Sequence, residues 1–118
     1  MTDRDRAETL LERYLDRHAA TDLEAVVALF EPDAIVEDPV GTTPHRGIEA
    51  IRAFYAGTQA RNGALSIERV GPMLLGGDEL AVHVRAGLLR EGAPPPMDVM
   101  YTIKVSPAGR IAELRAWY

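Results

Sequence analysis

The sequence of 118 residues contains no cysteine, which excludes disulfides, thiolate metal sites and a cysteine nucleophile. No apolar run approaches the ~20 residues that a membrane-spanning helix needs, and the charged, helical start is not typical of a signal peptide. Basic residues are in deficit, because 13 Lys and Arg against 18 Asp and Glu leave a net charge of -5, the wrong sign for a phosphate-binding surface. These absences predict a cytoplasmic protein that has neither a membrane nor a nucleic acid as its partner.

Several motifs that carry known chemistry are also missing. The sequence has no phosphate-binding loop, no dinucleotide fingerprint and no spaced cluster of histidine and carboxylate residues for a metal. Ser66 and Ser106 lack the elbow motif of a serine nucleophile. His18, His45 and His83 lie far apart in the chain, and we interpret them as packing or surface residues. The candidate chemistry is therefore that of carboxyl and phenol groups.

The first half of the chain has the pattern of helices. Apolar residues recur every three or four positions between Asp3 and Ala20, which predicts an amphipathic helix with Tyr14 on its buried stripe. The sequence Thr21-Asp22-Leu23-Glu24 has the form of a capping box and opens a second helix, which we expect to end at Pro32.

A third helix follows Gly47 and carries Tyr55 on its inner face. Strands are predicted between and after the helices, because short β-branched or alternating segments are separated by turn residues. They are an edge strand at Ala34–Asp38 and further strands at Ser66–Leu75, 79–88, Met97–Val105 and Arg110–Tyr118. Helices first and strands afterwards predict an α+β fold. We expect one domain over residues 1–118, in which three N-terminal helices pack on a strongly curved antiparallel sheet.

Asp98 is the first candidate for a functional carboxyl group. Alternation along Met97–Val105 places Met97 and Tyr101 on one face and Asp98 and Met100 on the other. Beside Met100 and after three prolines, Asp98 would lie in apolar surroundings, where desolvation would raise its pKa and keep it protonated. A protonated carboxyl group can donate a hydrogen bond to an oxyanion. The alternative is a solvated outer face, which Lys104 on the same side of the strand favours.

Asp38 is the second candidate. It precedes Pro39, which has no backbone N–H to donate to the carboxylate, so the pKa of Asp38 is less depressed and the group can act as a base. Ordinary turn chemistry is the alternative, because Asp-Pro-x-Gly commonly starts a turn. Tyr14 is the third candidate, and Tyr55 could be the partner of its hydroxyl group, although core packing is the default interpretation of both rings.

These residues together resemble a known family. The segments that carry the resemblance are Asp22-Leu23, Val27-Ala28-Leu29-Phe30, Val36-Glu37-Asp38-Pro39-Val40-Gly41, Arg46-Gly47 and Ile51-Arg52-Ala53-Phe54-Tyr55. They are similar to the bacterial ketosteroid isomerases, which belong to the cone-shaped α+β superfamily of nuclear transport factor 2 (NTF2). The Glu-Asp-Pro-Val-Gly segment, with a tyrosine one helix earlier, is the most specific part.

The resemblance implies a role for each candidate. Asp38 matches the family's general base, and Tyr14 matches its hydroxyl donor. Asp98, which follows Pro96-Met97, matches its protonated aspartic acid, and Tyr55 matches the tyrosine that supports the donor. An ionised and a protonated aspartate in one site are best known from the ketosteroid isomerases themselves.

The implied pocket is apolar, with walls that include Phe54, Met100 and Tyr118. The implied reaction converts a 3-oxo-Δ5-steroid to its 3-oxo-Δ4 isomer by moving a proton from C4 to C6 through a dienolate. No metal or organic cofactor is expected, and the family implies a homodimer. Two alternatives stay open, a polyketide cyclase of the SnoaL type and a non-catalytic carrier of a small apolar ligand. The pair of Tyr14 and Asp98 favours the isomerase over the cyclase, since one enolate oxygen needs two donors.

Overall fold

The computed structural model describes residues 2–118 and contains three helices, α1 (Arg4–Ala19), α2 (Leu23–Val27) and α3 (Ile48–Asn62). The Asp3 carboxylate accepts a hydrogen bond from the backbone N–H of Arg6 and thereby caps α1. The predicted first and third helices are confirmed. The second helix is capped by the Asp22 side chain rather than by Thr21, and it ends at Val27, well before Pro32.

The strands are β1 (Phe30–Glu37), β2 (His45–Arg46), β3 (Leu65–Arg69), β4 (Leu74–Gly76), β5 (Glu79–Leu88), β6 (Met97–Val105) and β7 (Ile111–Trp117). They form one sheet in the order β2-β1-β7-β6-β5-β3, and β4 also pairs with β5. Pro32 lies inside β1, where the pairing with β7 shifts register between Phe30 and Ile35. A proline has no N–H to donate to a neighbouring strand, and it is tolerated at such an irregularity because the regular pairing is interrupted there.

Three expectations about the sheet were wrong. β1 pairs in parallel with β7, so the sheet is mixed rather than antiparallel. The predicted edge strand is not at the edge, because the two-residue strand β2 pairs with its outer side. The predicted strand Ser66–Leu75 is two strands, β3 and β4, which pair with opposite ends of β5. The parallel pairing of β1 with β7 could not be predicted from local patterns, because it joins segments distant in sequence.

The helices cover one face of the curved sheet and enclose the core there. The buried residues of α1 recur at helical spacing, and those of β5 and β6 alternate as predicted. An ion pair between Glu8 of α1 and Arg69 of β3, with an N–O distance of 2.7 Å, lies where α1 crosses the sheet. None of the helices in the described part of the chain is long and apolar enough to span a membrane.

Candidate active site

A cavity of about 450 Å³ opens between the concave face of the sheet and the helices α1 and α3. Ligand pockets in proteins commonly have volumes of this order, with a mostly apolar wall and a few polar groups. Its wall is formed by His18, Asp38, Pro39, Phe54, Thr58, Arg61, Asn62, Leu65, Ala86, Gly87, Leu88, Pro94, Pro95, Met97, Tyr101 and Tyr118. Asp38 is the only carboxylic acid among them, and Arg61 is the only side chain that is always cationic.

Strand alternation directs Asp38 into the cavity. Ala34 and Val36 of β1 are fully buried on the inner face of the sheet. Asp38 lies two positions after Val36 and therefore belongs to the same face. Glu37, with the opposite parity, accepts a hydrogen bond from Arg115 at 2.9 Å on the other side of the sheet. The peptide bond between Asp38 and Pro39 is cis.

The environment of Asp38 suits a general base. Burial raises the pKa of Asp38 above its ordinary value, while a hydrogen bond from Tyr118 opposes this rise. The Tyr118 hydroxyl donates to Oδ1 of Asp38 at 2.7 Å. A carboxylate that is partly desolvated and held by one donor is a stronger base than a solvated one, and it keeps a free oxygen for a substrate proton.

Three tyrosine side chains pack together at the cavity floor. The oxygens of Tyr14 and Tyr55 are 2.8 Å apart, as the sequence predicted for this pair. The Tyr14 ring also packs edge-on against Tyr101, at a centroid distance of 5.6 Å. Burial raises the pKa of each of these phenols, so all three keep their protons near neutral pH. Tyr101 lines the cavity, whereas Tyr14 and Tyr55 lie behind it, fully buried.

The structure does not bring Asp98 to this site. Its side chain is 63% exposed and projects from the outer face of β6. There it contacts two residues of β5, His83 Nε2 at 2.8 Å and Arg85 Nη2 at 3.2 Å. These contacts, the hydrogen bond from His83 first, lower the pKa of Asp98, which is the reverse of a protonated acid.

The predicted placement of Asp98 is therefore wrong, and the reason is its register. Asp98 is paired with Arg85 across the β5–β6 ladder, so the two side chains lie on the same face of the sheet. Met100 has the same parity and is 40% exposed, so its prediction as a cavity wall is also wrong. Phe54 and Tyr118 do line the cavity, as expected, and Met97 takes the place predicted for Met100.

Two polar residues of the cavity, Tyr101 and His18, were missed as candidates. The sequence contained a signal for each. Tyr101 has the inward parity of β6, opposite to Asp98, and His18 lies on the buried stripe of α1 one turn after Tyr14. Among the described residues, no group of three His, Asp or Glu side chains is arranged to hold a metal ion.

Comparison with known proteins gives the family. The profile of the SnoaL-like domain matches residues 11–114. The chain belongs to the SnoaL-like family. This family has the NTF2-like fold, so the predicted α+β class is confirmed. The resemblance of the chain to the ketosteroid isomerases is confirmed as well.

Two curated relatives differ in their chemistry. The chain is 34% identical to a steroid Δ-isomerase of Nocardioides simplex, over 90% of this chain and 84% of that protein. It is 36% identical to the epoxide hydrolase LasB of Streptomyces lasalocidi over 96% of this chain, but it spans only 41% of LasB.

A solved structure agrees on the fold. The epoxide hydrolase/cyclase-like enzyme SalBIII, described in pyran ring formation of the polyether salinomycin, superposes with a TM-score of 0.85. It is 24% identical in sequence and covers 99% of this chain and 93% of its own. SnoaL-like relatives of this chain are thus isomerases, hydrolases or cyclases.

Proposed function

We propose that this SnoaL-like protein is a steroid Δ-isomerase that acts on a 3-oxo-Δ5-steroid. The observation that carries the proposal is Asp38, a carboxylate with a burial-raised pKa that faces an apolar cavity containing a buried phenol. The identity with the steroid Δ-isomerase of Nocardioides simplex, over most of both chains, supports the same reaction.

The proposed reaction begins with proton removal. The Asp38 carboxylate takes a proton from C4 of the steroid, the C–H electron pair forms the C3–C4 double bond, and the negative charge develops on O3. The Tyr118 hydrogen bond holds the carboxylate in one orientation during this step. Asp38 then returns the proton at C6, so that the conjugated 3-oxo-Δ4 product forms and the aspartate is ionised again. No atom is gained or lost by the enzyme.

The developing charge on O3 needs a hydrogen-bond donor in the cavity. In the proposed site this donor is Tyr101, since its ring lines the cavity and packs edge-on against Tyr14. Tyr14 and Tyr55 then act as positioning residues, because Tyr14 packs on the donor and Tyr55 is hydrogen-bonded to Tyr14. The hydrogen bond between Tyr14 and Tyr55 holds the ring against which the donor packs. Tyr101 thus takes the role that the resemblance implied for Tyr14.

A polyketide or polyether cyclase is the second candidate. The observation that favours it is the position of Asp98 outside the cavity, which removes the donor pair that spoke for an enolate. In this reaction Asp38 would accept the proton of a substrate hydroxyl, whose oxygen forms a C–O bond as an epoxide C–O bond breaks. Tyr101 would protonate the epoxide oxygen. The identity with LasB supports this alternative, although LasB is a much longer protein.

The ion pair of Asp98 with Arg85 favours the third alternative, the non-catalytic carrier, because it leaves one of the implied catalytic groups outside the cavity. A carrier needs an apolar cavity but no base. The position of Asp38, half-buried in the cavity wall, argues against the carrier, because an ionisable group in an apolar wall weakens the binding of a purely apolar ligand.

The deciding experiment is an absorbance assay of the conjugated enone with 5-androstene-3,17-dione as substrate. We expect turnover above the buffer rate, and we expect Asp38→Asn to lower kcat by about 10²–10⁴-fold, the range for a general base. The matched control is Asp98→Asn, which makes the same chemical change outside the cavity and should leave kcat near that of the wild type. Turnover by Asp38→Asn at the wild-type rate would show that Asp38 is not the base. Tight steroid binding without turnover by the wild type would favour the carrier.

A further inference from the structure

His18 is a polar side chain buried in the cavity wall. It lies in the last turn of α1, is only 6% exposed, and belongs to the cavity lining. Its ring stacks on Tyr14 at a centroid distance of 5.5 Å and meets Tyr55 edge-on at 5.4 Å. Two aromatic neighbours therefore determine the plane of the imidazole before any ligand binds.

The hydrogen-bonding capacity of this imidazole is not used within the described part of the protein. Nδ1 of His18 is buried and has no hydrogen-bond partner. The other buried side-chain atoms without a partner belong to Thr2, Gln59 and Thr102, and none of these residues lines the cavity. Neither ring nitrogen of His18 is hydrogen-bonded to another described residue, although buried polar side chains nearly always are, so an imidazole in the wall of a ligand-sized cavity indicates a partner in the ligand.

The two ring nitrogens differ in what they can do. Burial lowers the pKa of His18 to about 4, so the ring is neutral near neutral pH and carries one N–H. Nδ1 has no acceptor near it, and this favours the tautomer with the proton on Nε2. Nε2 is not buried in the same way, and it is the nitrogen through which the ring can donate to a ligand in the cavity.

The neighbour on the cavity floor is Tyr101. Both His18 and Tyr101 line the cavity, and both rings pack on Tyr14, at 5.5 Å and 5.6 Å. We infer that His18 and Tyr101 donate hydrogen bonds to the same oxygen of the ligand, so that the oxyanion site consists of an imidazole and a phenol. This inference rests on the proposed function. His18 takes the place that the sequence assigned to Asp98, and as a neutral imidazole it polarises the oxygen without losing its proton.

The inference can be tested by binding, without turnover. The probe is 2-naphthol, whose ionised and neutral forms differ in absorbance and fluorescence and whose naphtholate oxygen imitates the enolate. It is titrated against the Asp38→Asn protein, in which the base is neutral as it is after proton removal. We expect His18→Phe in this background to weaken naphtholate binding by about 10- to 100-fold, the range for one hydrogen bond to a charged oxygen. His18→Phe preserves a flat ring against Tyr14.

Two further variants separate hydrogen bonding from packing. His18→Gln restores an N–H near the position of Nε2 and should recover part of the lost affinity. His83→Phe removes an imidazole on the outer face of the sheet and should bind naphtholate as tightly as the parent protein. Equal naphtholate affinity in His18→Phe and its parent, with both folded by circular dichroism, would overturn the inference. Failure of His18→Gln to recover any affinity would also overturn it, because it would assign the effect to packing.

The steroid assay distinguishes this inference from the proposed function. If the wild type isomerises the steroid, His18→Phe should lower kcat about 10²-fold with little change in KM, as for the loss of one oxyanion donor. If the wild type does not turn over the steroid but naphtholate binding still depends on His18, the proposed function fails and the oxyanion site stands. An unchanged kcat in His18→Phe, in an active enzyme, would overturn the role of His18.

Discussion

Acid should destabilise this protein through His18, and the size of the effect follows from its burial. The unfolded chain binds a proton at the imidazole's ordinary pKa of 6.5, whereas burial lowers the pKa to about 4 in the folded state. The folded pKa is depressed, so the stability is fully present above the unfolded pKa and is lost as the pH falls through the window between the two values. At about pH 4.5 nearly all unfolded chains, but only about a quarter of folded ones, carry the extra proton.

The expected loss between about pH 7 and about pH 4.5 is roughly 2 kcal/mol of the free energy of unfolding, from 1.36 kcal/mol for each pKa unit. This is a large share of the ~5–15 kcal/mol that stabilises a typical domain. Other groups titrate in acid as well. Hydrogen bonds lower the pKa values of Glu8 and Glu37, and burial raises that of Asp38, which contributes with the opposite sign. Subtracting a His18→Phe variant measured under the same conditions removes these contributions.

Urea unfolding at a series of pH values measures the effect, with the fluorescence of Trp117, the only tryptophan, as the signal. We expect the stability difference between the wild type and His18→Phe to change by roughly 2 kcal/mol across this window, in favour of the variant at low pH. His18→Gln also lacks a group that titrates here, and it should give the same change. Parallel stability curves for wild type and both variants would contradict this prediction, because they would mean that the imidazole is not desolvated in the folded state.

Three further predictions concern the site and the outer face of the sheet. Because burial raises the pKa of Asp38, kcat/KM should fall with decreasing pH at a midpoint above 3.8. Tyr118→Phe should move this midpoint to a higher pH, because it removes a hydrogen bond that lowers the pKa of Asp38. An unchanged midpoint in Tyr118→Phe would contradict this prediction. Tyr101→Phe should lower kcat by about 10²–10³-fold. Tyr55→Phe should cost less, because Tyr55 contacts Tyr14 rather than the proposed donor Tyr101, and equal losses in steady-state assays would argue against Tyr101 as the donor. The homodimer implied by the family stays a prediction. Met100→Glu, on the exposed face of the sheet, should lower the sedimentation coefficient from that of a dimer to that of a monomer. A dimer that survives this substitution would exclude this face as the interface.

The candidate site was partly predictable from the sequence. The pairing of Tyr14 with Tyr55 followed from two helical stripes, and Asp38 followed from a short segment that resembles a known family. The prediction of Asp98 set aside the strand's own alternation, which already placed Asp98 with Lys104 and opposite Tyr101. The structure agrees with the alternation, because the contacts of Asp98 with His83 and Arg85 need all three side chains on one face.

The features that could be predicted from residue order are local. The stripe of α1 and the alternation of β5 and β6 follow from periodicity, and the turn at Asp38 follows from the residues Asp-Pro-x-Gly. Tertiary structure alone decided the parallel pairing of β1 with β7, the hydrogen bond of Tyr118 to Asp38 and the meeting of His18 with Tyr101 around one cavity. These contacts join segments far apart in the chain. Their register depends on how the whole sheet curves around the helices, and no local pattern records it.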